Sequence, residues 1–113
     1  LTAGKAAPIE RLAELGIMGA TVPEAHGGLG FGVPEATIIA EALGRGRSTV
    51  PFIETAILGG GLIAALGSDE QRGKWLPGIA DGSLTVTIAF AEGMRLDPTA
   101  PSTTARADGG GGD

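Results

Sequence analysis

Between Pro51 and Gly67 the chain reads PFIETAILGGGLIAAL, a run in which Glu54 is the only charged residue. As a helix it would be roughly 24 Å long, which is short for a membrane span, and its glycines make it a poor one. A helix that is apolar all round in a chain outside the membrane must be buried on most sides. The rest of the sequence therefore has to supply its cover, and Ile63 and Leu66 are candidate core positions whose truncation to alanine is expected to cost about 2–5 kcal/mol. Gly59, Gly60 and Gly61 interrupt the run. Each costs about 1 kcal/mol against alanine inside a helix. Either the helix breaks there, or another surface comes too close for a β-carbon. Under the second reading Gly60→Ala should destabilise a full-length protein.

The flanking segments read as helices. Residues 8–15 place Ile9, Leu12 and Ala13 on one face and Glu10, Arg11 and Glu14 on the other, with Gly16 as a left-handed stop. Residues 18–22 read as a short extended piece running into Pro23, which disfavours helix at Val22. A glycine loop follows, with Gly27, Gly28, Gly30 and Gly32, and then Pro34 opens a helix whose apolar stripe is Ala36, Ile39, Ala40 and Leu43. That helix should end at Gly44 or Gly46. Glu41 and Arg45 stand in the favourable order for a surface pair, and Arg45 and Arg47 complement the dipole.

Ser68 and Gln71 form a capping-box pattern, with Asp69 and Glu70 in the first turn of the next helix. Trp75, Leu76, Ile79 and Ala80 give its apolar face. Pro77 predicts a kink or two short helices, and Gly82 ends the segment. In SLTVTIAFA, residues 83–91, Leu84, Val86, Ile88 and Phe90 alternate with smaller residues, the pattern of a half-buried strand. The period changes at residue 83, which divides the chain into an α-helical domain, 1–82, and the start of a β-domain, 83–113. From Glu92 on, turn residues dominate, with room for a second strand at 103–106. Taken without any family, these features also suit a small helical interaction module with an acidic tail.

Several chemistries are excluded by residue supply. A net charge of −5 with no basic, aromatic-interleaved patch argues against nucleic acid. There is no cysteine, hence no disulfide framework or thiolate metal site, and with His26 as the sole histidine no multi-histidine metal site can form. The absence of cysteine suits a reducing compartment, and a cytoplasmic location is the expectation. The opening LTAGKAAPIE lacks the apolar core of a signal peptide, and the chain reads as a fragment. The glycine loop lacks the Lys-Ser/Thr of a P-loop and the spacing of a dinucleotide fingerprint, so it reads as a connector. His26 has no neighbouring carboxylate or nucleophile in sequence to form a relay, and reads as a loop or capping side chain.

Four blocks in register, ELGIMGATVPEAHGGLG, EALGR, GSDEQRGKWLPGIADG and a strand-like run ending in AE, resemble the N-terminal region of the flavin-dependent acyl-CoA dehydrogenases over residues 9–108. The resemblance implies a mainly α architecture, the N-terminal helical domain of that family followed by the first strand or strands of an incomplete β-domain. It implies α,β-dehydrogenation of an acyl-CoA substrate, FAD as cofactor, an electron-transfer flavoprotein or similar acceptor, and a homo- or hetero-oligomer. The glycine triplet would lie near the wall of the acyl-chain pocket, and Trp75 would be a core aromatic. Ile88, Phe90 and Ala91 fall on the family's flavin rim. The family's catalytic base is a glutamate of a C-terminal domain outside these residues, so no catalytic residue is assigned; Glu41 and Glu54 read as surface or buried-partner carboxylates. Glu92 matches the family's glutamate, whereas Ala91 stands where threonine is usual, Gly93 where proline is usual, and MRLD replaces a Gly/Ser loop. Those departures support an alternative, a non-catalytic structural subunit of a heteromeric enzyme.

Overall fold

The computed structural model describes residues 8–94, 97–107 and 109. Its elements are α1 (Ile9–Glu14), a 3₁₀ turn (Glu24–His26), α2 (Val33–Arg45), a π-helical segment (Phe52–Gly59), α3 (Gly60–Leu66) and α4 (Asp69–Ala80). The architecture is mainly α, as the sequence implied. Residues 1–7, whose small, polar-to-neutral composition suggests a frayed start, lie outside the described residues.

Local signals place most boundaries. Leu12 is the buried residue of α1, and Gly16 at φ +80° ends it. Pro34 occupies the first turn of α2, where the Glu35 carboxylate accepts the Gly32 N–H at 3.1 Å. In α4 the capping box closes from both sides: Gln71 N–H donates to Ser68 Oγ at 3.1 Å, and Ser68 N–H donates to Gln71 Oε1 at 2.9 Å. The pair Glu41–Arg45 forms at 3.6 Å between exposed side chains and contributes a few tenths of a kcal/mol, about 0.3.

Four expectations are corrected. Residues 18–22 are not extended but a chain of turns, with Ala20 N–H donating to Ile17 O and Val22 N–H to Gly19 O. The glycine loop folds back over them: Leu29, Gly30 and Phe31 N–H donate to the carbonyls of Gly19, Val22 and Ala20 at 2.8–2.9 Å. That brings Met18, Ala20 and Val22 all inside. Helix α2 ends as expected, at Arg45 with Gly46 as its C-cap, and the left-handed residue that follows is Arg47, at φ 52°. Arg47 N–H donates to Gly44 O and Ser48 N–H to Leu43 O, which is a Schellman arrangement carried by a non-glycine residue. The segment α4 runs as one helix through Pro77, so two short helices do not form; the residue four back, whose carbonyl a proline ring would crowd, is Gly73. Trp75 is half-buried beneath the Lys74 ammonium, 5.9 Å from its ring centroid, and stands outside the buried cluster.

The fourth correction concerns the apolar run. It is buried on one side only: Phe52, Thr55, Ala56, Gly59 and Gly60 face inward, while Ile53, Leu58, Leu62 and Leu66 are exposed, Leu66 to 78%. Glu54 is exposed as well. The backbone does not break at the triplet. It stays right-handed helical and passes from π to α winding between Gly59 and Gly60. A β-carbon on Gly59 would overlap the Val86 side chain, whereas one on Gly60 would make ordinary contact with Thr55 O at 3.5 Å and Ile79 Cδ1 at 3.8 Å. Within this chain the close approach therefore falls on Gly59.

The core cluster comprises Leu12, Met18, Val22, Leu43, Phe52, Ala56, Leu76, Ile79 and Ala80, with Leu84 and Val86 packed against it. Past Gly82, which ends α4 at φ +79°, residues 84–92 form no ladder among the described residues, since a strand needs a neighbour to pair with. The alternation is nevertheless present: Leu84, Val86 and Ile88 are partly buried, and Ser83, Thr85, Thr87 and Ala89 are exposed.

Two stability predictions follow from this packing. Gly59→Ala should destabilise by about 1–3 kcal/mol through overpacking, while Gly60→Ala and Gly61→Ala should be neutral or stabilise by up to about 1 kcal/mol. Leu76→Ala, at a fully buried position, should cost about 2–5 kcal/mol, and Leu66→Ala should stay within about 0.5 kcal/mol of wild type. Denaturant titrations of the variants check both; a Gly59→Ala protein as stable as wild type would contradict the crowding.

Candidate functional site

The segment carrying Ile88, Phe90 and Ala91 is anchored to the helices through Val86. Its carbonyl accepts the hydroxyl of Thr55 at 2.8 Å, and Thr55 is fully buried. The Val86 side chain lies over Gly59, where a β-carbon would otherwise stand. Leu84 N–H donates to Gly78 O at 2.9 Å and fixes the start of the segment. Extended chain alternates its side chains, so Ile88 and Phe90 share the face of Leu84 and Val86, and Ala91 takes the other. Ile88 is partly buried, Phe90 is 41% exposed beyond the helices, and Ala91 is exposed. The backbone N–H groups of Ile88, Phe90 and Ala91 have no partner among the described residues. The segment therefore presents donors and an aromatic face in a short stretch, which suits a planar ring with acceptor atoms at its edge.

Glu92 follows immediately and is used fully. Its Oε2 accepts Ser102 N–H at 2.7 Å and Ser102 Oγ–H at 2.8 Å, and its Oε1 accepts Thr103 N–H at 2.8 Å. Hydrogen bonds from Thr103 and then Ser102 hold the carboxyl far below the ordinary glutamate range, at about 2. Asp97 makes a smaller version of the same contact, accepting Thr99 N–H at 3.1 Å and Thr99 Oγ1–H at 2.6 Å, with its acidity raised by that residue. The sequence marked Glu92 only by its family match; partners ten and eleven residues away leave no periodic signal. Met94 is fully exposed, and the next two residues of the MRLD stretch lie outside the described ones.

A second feature is a cleft of about 360 Å³ lined by Gly16, Gly19, His26, Gly27, Leu29 and Asp81, together with Ala13, Pro77 and Ala80. Its wall includes the close approach of Gly19 to Ala80, where an added β-carbon would stand 2.9 Å from the alanine Cβ. His26 sits in the 3₁₀ turn on the cleft wall, as a loop residue. Asp81 accepts Ser83 N–H at 2.8 Å, and hydrogen bonds from Ser83 lower its pKa. The cleft contains no hydroxyl or thiol nucleophile, and no group of three metal-capable side chains occurs among the described residues.

The profile of the family described as acyl-CoA dehydrogenase, N-terminal domain, matches residues 3–83. The acyl-CoA dehydrogenase FadE12 of Mycobacterium tuberculosis is 39% identical over 103 residues, covering 85% of this chain and 25% of FadE12. The mitochondrial short-chain specific acyl-CoA dehydrogenase of Bos taurus is 34% identical over 107 residues, covering 92% of this chain and 26% of that enzyme. A solved Tcur3481-Tcur3483 steroid ACAD variant superposes with a TM-score of 0.74 at 38% identity, over 82% of this chain and 25% of the other. The fold is thus that of the N-terminal domain of such dehydrogenases. The chain belongs to the acyl-CoA dehydrogenase family, and it spans about a quarter of the length of these relatives.

The Glu92 contacts predict a pH dependence. Its folded pKa lies at about 2, below the ordinary value of 4.5, so the contacts favour the ionised form. Their stabilisation should be fully present above pH 4.5 and lost as pH falls toward 2. Amide chemical shifts of Ser102 and Thr103 recorded across that window should move together; shifts that stay flat until the helices themselves unfold would count against it.

Proposed function

We propose that a full-length protein carrying this chain is a flavin-dependent acyl-CoA dehydrogenase that introduces an α,β double bond into an acyl-CoA thioester. The observation that carries this reading is the family match over residues 3–83 together with a following segment whose amides, unpaired among the described residues, and exposed Phe90 suit a ring edge. FAD, in this reading, is the acceptor of the substrate's β-hydrogen as hydride. Ile88, Phe90 and Ala91 would form a rim of its site, with backbone N–H groups as donors and the Phe90 ring excluding water. The π-helical segment and α3 would form part of the acyl-pocket wall. No residue of this chain is assigned the base that removes the α-proton.

The same reading divides the chain at residues 82 and 83 into a helical domain and the opening of a second, β-type domain. It implies an electron-transfer flavoprotein or similar acceptor, an oligomeric protein and a cytoplasmic location. Among the described residues no helix is long and apolar enough to cross a membrane. The relatives include a (2S)-methylsuccinyl-CoA dehydrogenase of Cereibacter sphaeroides as well as short-chain and steroid enzymes, so no single acyl group follows from family membership. A second reading, a non-catalytic subunit paired with an active one, is favoured by Ala91, which offers a methyl where the family's threonine offers a hydroxyl, and by Gly93.

The full-length protein is expected to purify with a flavin absorbance spectrum and to reduce an electron-accepting dye when given acyl-CoAs. The 113-residue chain alone should not retain stoichiometric flavin, because it offers one edge of a site. A colourless full-length protein that reduces no dye would overturn the enzyme reading in favour of the structural subunit.

A further inference from the structure

We propose that Glu92 is the positioning residue of the flavin rim: by tying Ser102 and Thr103 back to the end of the 88–91 segment, it builds the edge of the site from within this chain. The proposal rests on the flavoprotein reading for its ligand, but the tie itself rests on geometry alone. Three donors converge on one carboxylate at 2.7–2.8 Å, two on Oε2 and one on Oε1. Charge-assisted hydrogen bonds of this length are the strong class. No helix supports this region: residues 97–107 are exposed throughout, and the core cluster reaches no further along the chain than Val86. The shape beyond Ala91 therefore depends on the contacts the segment makes with itself.

Glu92 is adjacent to Ala91, so whatever fixes its side chain also fixes the peptide that carries the rim amides. A ligand meeting an edge already held in place loses less entropy on binding than one that must order it. With both oxygens occupied by backbone and hydroxyl donors, Glu92 acts through the loop, not by contact with the ring. This role differs from that of the hydroxyl usual at position 91. Here a carboxylate one residue on supplies order where Ala91 supplies no hydrogen bond.

The test uses the full-length protein with Glu92→Ala, Glu92→Gln and Ser102→Ala, read by amide hydrogen exchange at Ser102 and Thr103 and by the rate at which FAD dissociates. Glu92→Ala should speed exchange at both amides by about tenfold or more and speed FAD loss in parallel. Glu92→Gln, which keeps one acceptor oxygen, should fall between it and wild type. Ser102→Ala, which leaves both backbone donors, should change least. The melting temperature of the helical domain should not move, because Glu92 lies outside the core. Unchanged exchange in Glu92→Ala would overturn the tie. Faster exchange with unchanged FAD dissociation would overturn the positioning role. If wild-type protein holds no flavin, the enzyme reading fails, and the exchange rates alone then decide whether the tie exists.

Discussion

Gly19 and Gly59 set the distances at which the parts of this domain meet. The chain has three phenylalanines and one tryptophan, too little aromatic volume to fill wide gaps between helices. It closes its core by bringing backbones together instead. Gly19 lies against Ala80, Gly59 receives Val86, Gly78 faces Leu84 and Gly82 faces Ala13, all four within 2.9 Å of where a β-carbon would stand. All but one involve the last turn of α4 or the residues just after it. Each residue there meets a different partner, so one turn of helix joins α1, the turns at 18–22 and the extended segment. Dispersion gains from such dense contact are small per atom pair and large in sum.

Polar groups follow the same economy. Thr55 is the buried polar residue of the core, and its hydroxyl has a single task, to hold Val86 O. No buried side-chain nitrogen or oxygen among the described residues lacks a partner. The ion pairs Arg11–Glu14, Glu41–Arg45 and Asp69–Arg72 each join neighbouring turns of one helix and lie at the surface. Arg72 does more, since its Nε also donates to Ala64 O at 2.9 Å and links α3 to α4. Charge therefore orients helix ends here, and close packing sets the fold.

What the sequence made legible was whatever is decided within a few residues. The Ser68–Gln71 box, Pro34 in a first turn, the left-handed Gly16, the stop at Gly82 and the alternation at 84–88 all depend on local geometry, and all are present. What it hid depends on distant partners. Residues 18–22 turn because the loop at 29–31 bonds to their carbonyls, and Leu66 is exposed because only one side of the apolar run has a neighbour. Of the candidate site, the alternation located Ile88 and Phe90 on one face, but the role of Glu92 could not be read, since its donors lie a loop away.

The π winding of residues 52–59 bears on how this domain tolerates insertion and deletion. A π turn holds one more residue than an α turn, because its hydrogen bonds reach five residues back and not four. Removing one residue from an ordinary α-helix rotates everything beyond the cut by about 100°. Within the π segment the same loss can be absorbed by tightening to α winding, which leaves α3 facing as before. The segment thus has one residue of slack, and a one-residue deletion within it can leave the inward face of α3, and with it the seat of Ile79, in the same orientation.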